Sequence, residues 1–146
     1  MNLFWFVSRV AHAFYSRFPI FGTLRGAVAI LEQDGKFLVI ERSDGFGLCF
    51  PGGTSHFKET PEETIRREVT EETGLLLSSL EFKFDFRHPK PFPTHTYVFE
   101  ARGEGELRGS WEGKPRAATI NELKQRVIQQ QQPVVEYLQS RSSRNS

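Results

Sequence analysis

A run of acidic residues between Gly53 and Leu75 constrains this chain more than any other feature. The run reads GTSHFKETPEETIRREVTEETGL, and Glu68, Glu71 and Glu72 fall at positions i, i+3 and i+4. On a helix this spacing places the three carboxylates on one face, where each exposed pair of like charges costs roughly 0.2–0.5 kcal/mol. We therefore expect a cation at this face, and carboxylate oxygens suit Mg²⁺ or Mn²⁺.

Residues at both ends of the acidic run predict where its helix begins and ends. Thr60 and Glu63 match a capping box, and Pro61 occupies the first helical position, where proline is favoured. Gly74 stands where a helix commonly ends on glycine. The sequence thus predicts a helix over residues 61–73. The apolar side of this helix is expected to consist of Ile65, Val69 and Thr73.

The spacing of the run resembles the Nudix box, the motif of the Nudix hydrolase (MutT-like) family. The residues that match are Gly53, then after five residues Glu59, after seven more Arg67-Glu68-Val69-Thr70-Glu71-Glu72, and after one more Gly74-Leu75. The resemblance covers about Leu24 to Leu138 and implies an α/β fold, an α/β/α sandwich with a mixed sheet. It also implies hydrolysis of a diphosphate joined to another group, usually a nucleoside, with Mg²⁺ or Mn²⁺ as cofactor.

The resemblance assigns roles to residues of the box by position. Glu68 resembles the general base or a ligand close to it, and Glu71 and Glu72 resemble metal ligands. The Gly52 carbonyl is a candidate for one more metal oxygen. An ion pair between Glu59 and Arg67 would fix the loop against the helix, and Gly53 and Gly74 would support the site.

A later glutamate is a candidate for the same catalytic set. Glu112-Gly113-Lys114-Pro115 resembles a short segment of the nucleoside-triphosphate-cleaving branch of the family, in which the glutamate lies near the metals. The same four residues also form an ordinary turn sequence, so both interpretations stay open. Weaker candidates for this carboxylate are Glu100, Glu104 and Glu106.

A simpler explanation of the acidic helix is a solvated surface with ion pairs such as Glu63–Arg67. The glycines of the box and the filled position at Arg67 favour the metal site over this explanation.

The rest of the chain predicts strands on both sides of the acidic helix and a helix near the end, an α/β or α+β pattern. Strands are expected at 26–31 and 36–41, paired as a hairpin around Asp34-Gly35, and at 48–50, 81–86 and 94–101, with a break at 51–53. A helix is expected from Ile120 into the glutamine run 129–132, with Pro133 interrupting it and a last turn or two at 134–138.

The first 22 residues predict an amphipathic helix outside the Nudix-like part. Their aromatic and aliphatic side chains gather on one side, and Arg9, His12 and Arg17 interrupt any membrane-spanning run. Two interpretations are open for residues 1–19. One is packing on the domain or on a second copy of the chain in a homodimer, and the other is contact with a membrane surface. Packing is favoured because the polar side carries few cations.

The composition of the chain limits the number of domains, the partners and the cellular compartment that we expect. With 146 residues the chain predicts one domain over 23–139, followed by a polar, frayed tail at 140–146. The formal charge of +1 argues against long nucleic acid as a partner. A single cysteine, Cys49, excludes an internal disulfide and fits the cytoplasm. Cys49 also keeps open an isomerase of isoprenoid diphosphates, which would need a cysteine in its site.

The substrate is less constrained than the reaction. We expect a small nucleotide, such as a nucleoside triphosphate cut to the monophosphate and pyrophosphate, while ADP-sugars, dinucleoside polyphosphates and capped RNA stay open. A non-catalytic nucleotide-binding or sensor module of the same fold is the alternative function. Candidate readers of the base are the aromatic and histidine residues Phe46, Phe86, His88, Phe92, His95 and Tyr97.

Overall fold

A four-stranded mixed sheet forms the centre of the computed structural model, which describes Leu3, Arg9 and residues 23–89 and 93–146. The strands along the chain are β1 (Leu24–Ile30), β2 (Glu32–Gln33), β3 (Lys36–Arg42), β4 (Leu48–Cys49), β5 (Gly52–Thr54), β6 (Leu76–His88), β7 (Thr94–Glu104) and β8 (Gly113–Ala118). The helices are α1 (Pro61–Thr73), α2 (Ile120–Arg126) and α3 (Gln132–Arg144), with a 3₁₀ turn at Gln129–Gln131 before α3.

The strands form two sheets. The central sheet has the order β5-β1-β7-β6, in which β1 runs parallel to β7 and the other two pairs are antiparallel. In the second sheet β3 is the middle strand, with β2 and β4 along one edge and β8 along the other. This mixed α/β arrangement confirms the predicted fold class.

Alternating residues of β1 separate two apolar cores, one on each face of the central sheet. Ala27 and Ala29 face α1, where Ile65 and Val69 are fully buried. Val28 and Ile30 face the other way, into the core that holds the second sheet, α2 and α3. Burial of a side chain such as Ile65 contributes roughly 1.5–3 kcal/mol, so α1 is fixed firmly on the sheet.

The ends of α1 confirm the predicted capping pattern. Thr60 accepts a hydrogen bond from the Glu63 backbone at 3.2 Å, and the Glu63 side chain accepts one from the Thr60 backbone at 3.2 Å. Pro61 opens the helix, and Gly74 closes it with φ of 81° while its N–H donates to the Thr70 carbonyl. A left-handed C-terminal residue of this kind favours glycine.

Two predictions about the first half of the chain are wrong. The Asp34-Gly35 turn joins the two-residue strand β2 to β3, and β1 pairs instead with β5 and β7. Residues 51–53 do not break regular structure, since Gly52–Thr54 forms strand β5 along β1. Glycines are poor strand formers, and at Gly52 a Cβ atom would lie 2.1 Å from the Ala27 carbonyl oxygen. The close approach of two backbones explains glycine there.

The second half also differs from the predictions. β6 is longer than the expected strand at 81–86, and β8 was not predicted at all. Pro133 does not interrupt a helix but lies in the first turn of α3, where proline is tolerated. The helix continues to Arg144, so the predicted frayed tail at 140–146 is mostly helical.

The predicted helix over residues 1–22 lies outside the described residues, apart from Leu3 and Arg9, and it stays a prediction. Among the helices that the structure does describe, we find none long and apolar enough to cross a membrane.

Candidate active site

Strand β5 and helix α1 bring two carboxylates of the box against the backbone of the glycine pair. The Glu68 carboxyl group lies so close to Gly53 that a Cβ atom there would be 2.6 Å from its Oε1. Glu72, one turn further along α1, accepts a hydrogen bond on Oε1 from the Gly52 N–H at 3.2 Å. The acidic face of α1 therefore packs directly against the backbone of strand β5.

Glu72 is the buried centre of this cluster, with an exposed fraction of 3%. Burial raises the pKa of Glu72 well above its ordinary value, and the charges of Glu112 and Glu68 raise it further. A buried carboxylate without a cation is costly unless it is paired or protonated. Glu72 therefore lies where a positive charge would be most stabilising.

Glu112 joins the box acids from a different part of the chain. It lies in the turn between β7 and β8, and the Ser43 N–H of the β3–β4 loop donates to its carbonyl oxygen at 2.9 Å. Burial raises the pKa of the Glu112 carboxyl group, and the charges of Glu68 and Glu71 add to the effect. The structure thus brings this predicted candidate into the electrostatic range of the helix.

Arg67 connects the loop before α1 to the acidic face. Its guanidinium holds Glu59 through Nε and Nη2, at 2.8 and 2.9 Å, and donates from Nη1 to Glu68 Oε1 at 2.8 Å. It also reaches Glu71 at 3.2 Å and the Thr54 carbonyl at 3.1 Å. Within the described part of the chain, Arg67 pairs with these groups and not with Glu63.

The third box acid, Glu71, is the most accessible of the three. Its side chain is 57% exposed, against 14% for Glu68. The charge of Glu71 contributes to the raised pKa of Glu112, after the larger effects of burial and Glu68. An open position of this kind can meet a cation that arrives together with a substrate.

The donor set fits a hard divalent cation. Glu68, Glu71, Glu72 and Glu112 offer only oxygen atoms, and the charges of neighbouring acids add to the effect of burial in raising the pKa values of Glu72 and Glu112. In the described residues, no three acidic, histidine or cysteine side chains yet surround one point closely enough to hold an ion. The carboxylates would have to turn towards the ion as it binds.

Two residues beside the site were missed by the sequence. Arg42 on β3 pairs with Asp44, and its charge opposes the rise in the pKa of Glu112. Gln131, before α3, accepts a hydrogen bond from the Phe50 N–H at 2.7 Å and fixes the chain just ahead of Gly52. The bond between Phe50 and Gln131 and the effect of Arg42 on Glu112 join segments that are far apart in sequence, so no local pattern could have revealed them.

The weaker carboxylate candidates lie elsewhere. Glu100 faces α3, where Arg141 donates to it at 2.6 Å and Tyr137 at 3.2 Å. Glu104 and Glu106 are exposed at and beyond the end of β7. Of the four glutamates considered outside the box, the structure places only Glu112 with the box acids.

The candidate readers of the base are spread over different surfaces. His95 pairs with Asp85, and its ring lies 4.4 Å from that of Tyr97 on the α1 side of the sheet. Phe86 packs on the opposite core, and Phe92 lies outside the described residues. Phe46 is 68% exposed. It lies in the β3–β4 loop, which contacts Glu112 through the Ser43 N–H.

Cys49 lies close to the acids, but its thiol is not activated as a nucleophile. Burial raises the pKa of its thiol to about 12, and the charge of Glu72 contributes to the rise. The sulfur contacts the Ile40 carbonyl oxygen at 3.8 Å. A thiol with this pKa stays protonated near neutral pH, which argues against its use as a thiolate nucleophile.

A groove of about 410 Å³ lies near the C-terminal end of β1, between the central sheet and α3. Its charged lining includes Glu32 and Glu100, which both pair with Arg141. None of the box acids lines the groove. Because Glu32 and Glu100 already pair with Arg141 and no box acid is present, we assign the chemistry to the acid cluster and not to the groove.

Comparison with known proteins gives a match to a family and to individual relatives. The NUDIX domain model matches residues 23–138. The chain is 34% identical over 103 residues to the 8-oxo-dGTP diphosphatase of Escherichia coli (strain K12), which covers 63% of this chain and 76% of that protein. It is 48% identical over 50 residues to the ADP-ribose pyrophosphatase of Methanocaldococcus jannaschii, covering 32% of this chain and 30% of that protein.

A MutT-like protein of Streptomyces ambofaciens is 43% identical over 49 residues, which cover 34% of this chain and 32% of that protein. The chain therefore spans about a third of the length of this relative and of the archaeal one. Among solved structures, the E. coli ORF135 protein has a TM-score of 0.73 at 23% identity, over 84% of this chain and 94% of that one. A MutT NUDIX hydrolase from Burkholderia pseudomallei has a TM-score of 0.69 at 22% identity, over 78% and 96%.

Proposed function

The chain belongs to the NUDIX family, and we propose that it hydrolyses a diphosphate linkage in a small nucleotide with the help of Mg²⁺ or Mn²⁺. The observation that carries the proposal is the placement of Glu68 and Glu72 against the glycines of β5, with Glu112 close enough for its charge to raise the pKa of Glu72. Burial and neighbouring like charges raise the pKa values of Glu72 and Glu112, and a cation would remove part of that cost.

We assign the ligands from their positions in the box and from the contacts of Glu68 and Glu72 with the glycines of β5. Glu68, Glu71 and Glu72 would hold the cation from α1, with the Gly52 carbonyl as a further oxygen and Glu112 from the turn before β8. When bound, a divalent cation neutralises charge on the phosphate oxygens and favours deprotonation of the attacking water. Its binding would also stabilise the folded protein.

The contacts of Glu68 suggest how a proton could be moved. Arg67 donates to Oε1 of Glu68, which leaves Oε2 to accept a proton from a water molecule that attacks phosphorus. Arg67 at the same time holds this carboxylate in place through its bonds to Glu59. Gly53 adds to the positioning because any side chain there would displace Glu68.

The names of the relatives bear on the substrate. An 8-oxo-dGTP diphosphatase and an ADP-ribose pyrophosphatase each act on a nucleotide that contains a diphosphate. Of the relatives compared above, the diphosphatase shares the longest aligned segment with this chain. We therefore favour a nucleoside triphosphate cut to the monophosphate and pyrophosphate.

A substrate screen with mass detection of the products tests this proposal. Nucleoside triphosphates, ADP-sugars, dinucleoside polyphosphates and capped RNA would each be incubated with Mg²⁺ or Mn²⁺. We expect a nucleoside monophosphate and pyrophosphate from a triphosphate, and no product with EDTA or with the Glu72→Gln variant. Turnover that persists undiminished in both controls would refute the metal site.

A non-catalytic nucleotide-binding module is the second candidate. A module that only binds a ligand has no need for the buried Glu72 beside Glu68 and Glu112, and this chain keeps all three acids. Saturable nucleotide binding with no phosphate release in either metal would favour the binding module over the enzyme.

A further inference from the structure

Two exposed aromatic side chains lie on the two loops that border the acid cluster. Phe46 in the β3–β4 loop is 68% exposed, and Trp111 in the turn between β7 and β8 is 53% exposed. Single exposed apolar residues are common on protein surfaces. Phe46 and Trp111 differ from single exposed residues because they lie on two loops that are joined to each other, and exposed apolar side chains grouped in this way mark interaction sites.

The turn that carries Trp111 also carries Glu112. Trp111 and Glu112 are its two central residues, and Ser110 and Gly113 close it with hydrogen bonds of 3.1 and 3.3 Å. Strand β8 begins at the next residue, Gly113, and contacts α1, so this turn lies beside the helix that carries the box acids. The indole is therefore attached directly beside a carboxylate of the proposed reaction site.

The loop that carries Phe46 is fixed to this turn. The Ser43 N–H donates to the Glu112 carbonyl at 2.9 Å, which joins the two loops. The Asp44 carboxylate accepts a hydrogen bond from the Phe46 N–H at 3.0 Å and is itself held by Arg42. Phe46 is thus carried on an ordered backbone, although its side chain is mostly in solvent.

We propose that Phe46 and Trp111 form an aromatic rim that binds the base of the nucleotide by stacking. This inference rests on the proposed function and narrows its substrates to diphosphates that carry a planar base. The acids would hold the diphosphate while the base lies against the rim. Phe46 and Trp111 would then determine specificity and would take no part in bond cleavage.

Stacking also predicts how selective the rim is. Every base has an aromatic face, so stacking tolerates changes in the ring substituents, whereas hydrogen bonds to the base edge do not. Purines offer more area than pyrimidines and should bind more tightly. Phe46 and Trp111 themselves provide no side-chain hydrogen-bonding group other than the indole N–H.

Tryptophan fluorescence gives a direct test. The chain has two tryptophans, so the Trp5→Phe variant leaves Trp111 as the single reporter. Adenosine or guanosine 5′-monophosphate, with Mg²⁺ present, should change its emission in a saturable way, while ribose 5-phosphate at the same concentration should not. Nucleotide binding seen by calorimetry without any change in Trp111 emission would overturn the rim.

Kinetics of alanine variants provide the second readout. Trp111→Ala and Phe46→Ala should each raise KM for a nucleotide by about 5- to 100-fold, the range for loss of a stacking aromatic, with little change in kcat. Trp111→Phe should restore most of the affinity. Leu76→Ala is the control, since Leu76 is a large apolar residue on β6 that is 68% exposed, and its KM should stay unchanged.

These experiments can reject the aromatic rim and the proposed hydrolase activity independently of each other. Hydrolysis of nucleotides with unchanged KM in both rim variants would reject the rim and leave the hydrolase intact. If no diphosphate substrate is cleaved while nucleotides still quench Trp111, the hydrolase fails and the rim stands as part of a binding module. If a diphosphate without a base is the best substrate, the rim is rejected and the metal site is not.

Discussion

Arg67 binds Glu59 through two parallel hydrogen bonds, from Nε to Oε2 at 2.8 Å and from Nη2 to Oε1 at 2.9 Å. The two residues are eight positions apart, one in the loop before α1 and the other on the helix. The same guanidinium donates to Glu68. The pair therefore fixes the loop and, through Arg67, orients a carboxylate of the proposed metal site.

This pair predicts a loss of stability in acid. Arg67 lowers the pKa of Glu59 to about 2 from an ordinary 4.5. A lowered pKa in the folded state means that the contribution is complete above pH 4.5 and is lost as pH falls towards 2. We expect Glu59→Gln to cost about 1–3 kcal/mol at pH 6, and less at pH 3, in urea unfolding.

The control for this prediction is Glu62→Gln. Glu62 is exposed on the first turn of α1, away from the Arg67 guanidinium. Its substitution should change the free energy of unfolding by no more than about 0.5 kcal/mol at either pH. A Glu59→Gln penalty that is equally large at pH 6 and pH 3 would contradict the ionic origin of the contact.

The contact of Gly53 with Glu68 predicts a loss of activity from one methyl group. In Gly53→Ala the new Cβ would lie 2.6 Å from the Glu68 carboxyl group, which must move away. Activity should fall by at least about 10-fold, since small misplacements at a reaction site are costly. Steady-state kinetics beside thermal unfolding would separate this effect from misfolding.

Gly35→Ala is a useful comparison. Gly35 has φ of 75° but no atom within 4 Å of an added Cβ, so the substitution should cost about 1 kcal/mol of stability through strain alone. Its activity should remain that of the parent protein. Loss of activity in both variants would indicate a general effect of destabilisation and not displacement of Glu68.

Glu112 and Glu104 form a matched pair for the site. Glu112→Gln removes a carboxylate that is close to the box acids, and activity should fall by at least about 10-fold without loss of stability, because a charge that is repelled by Glu68 and Glu71 is removed. Glu104→Gln, at an exposed position on β7, should leave both unchanged. Full activity of Glu112→Gln would show that Glu112 is an ordinary turn residue and not part of the reaction site.

Cys49→Ser addresses the isomerase interpretation. The Cys49 sulfur lies 3.8 Å from the Ile40 carbonyl oxygen, and a serine hydroxyl can donate to the same oxygen. We expect activity within about 2-fold of the parent protein and a stability loss of about 1 kcal/mol, measured by kinetics and urea unfolding. Abolished turnover in a folded Cys49→Ser protein would instead support a chemical role for the thiol.

Local signals account for what the sequence predicted well. The cap at Thr60, the proline at position 61 and the glycine at position 74 act within a few residues, so they define α1 without reference to the rest of the fold. The same holds for the buried stripe of Ile65 and Val69, which follows from helical spacing.

Long-range pairing accounts for what the sequence did not reveal. β5 is rich in glycine and β8 contains Pro115, so neither has the composition of a strand, and both exist because β1 and β3 provide partners. The bond between Phe50 and Gln131 spans 81 positions. Proline occurs both just after the end of a helix and in its first turn, so the local sequence at Pro133 is compatible with either. The packing of Val134 and Val135 in the core selects the start of a helix.

Metal binding should be visible as thermal stabilisation that depends on Glu72. A cation that binds only the folded state adds about 2.7 kcal/mol at a hundredfold excess over its Kd, which raises Tm by roughly 5–10 °C in a domain of this size. Glu72→Gln should abolish most of that shift. Without metal, Glu72→Gln should be no less stable than the parent protein, because a neutral amide replaces a carboxylate in a residue that is only 3% exposed.

Differential scanning calorimetry with Mg²⁺, Mn²⁺ and EDTA measures both effects. An equal metal-induced shift in the two proteins would show that the cation binds away from Glu72. Glu62→Gln is the control, and it should keep the full shift because Glu62 is an exposed acid on the first turn of α1, outside the acid cluster.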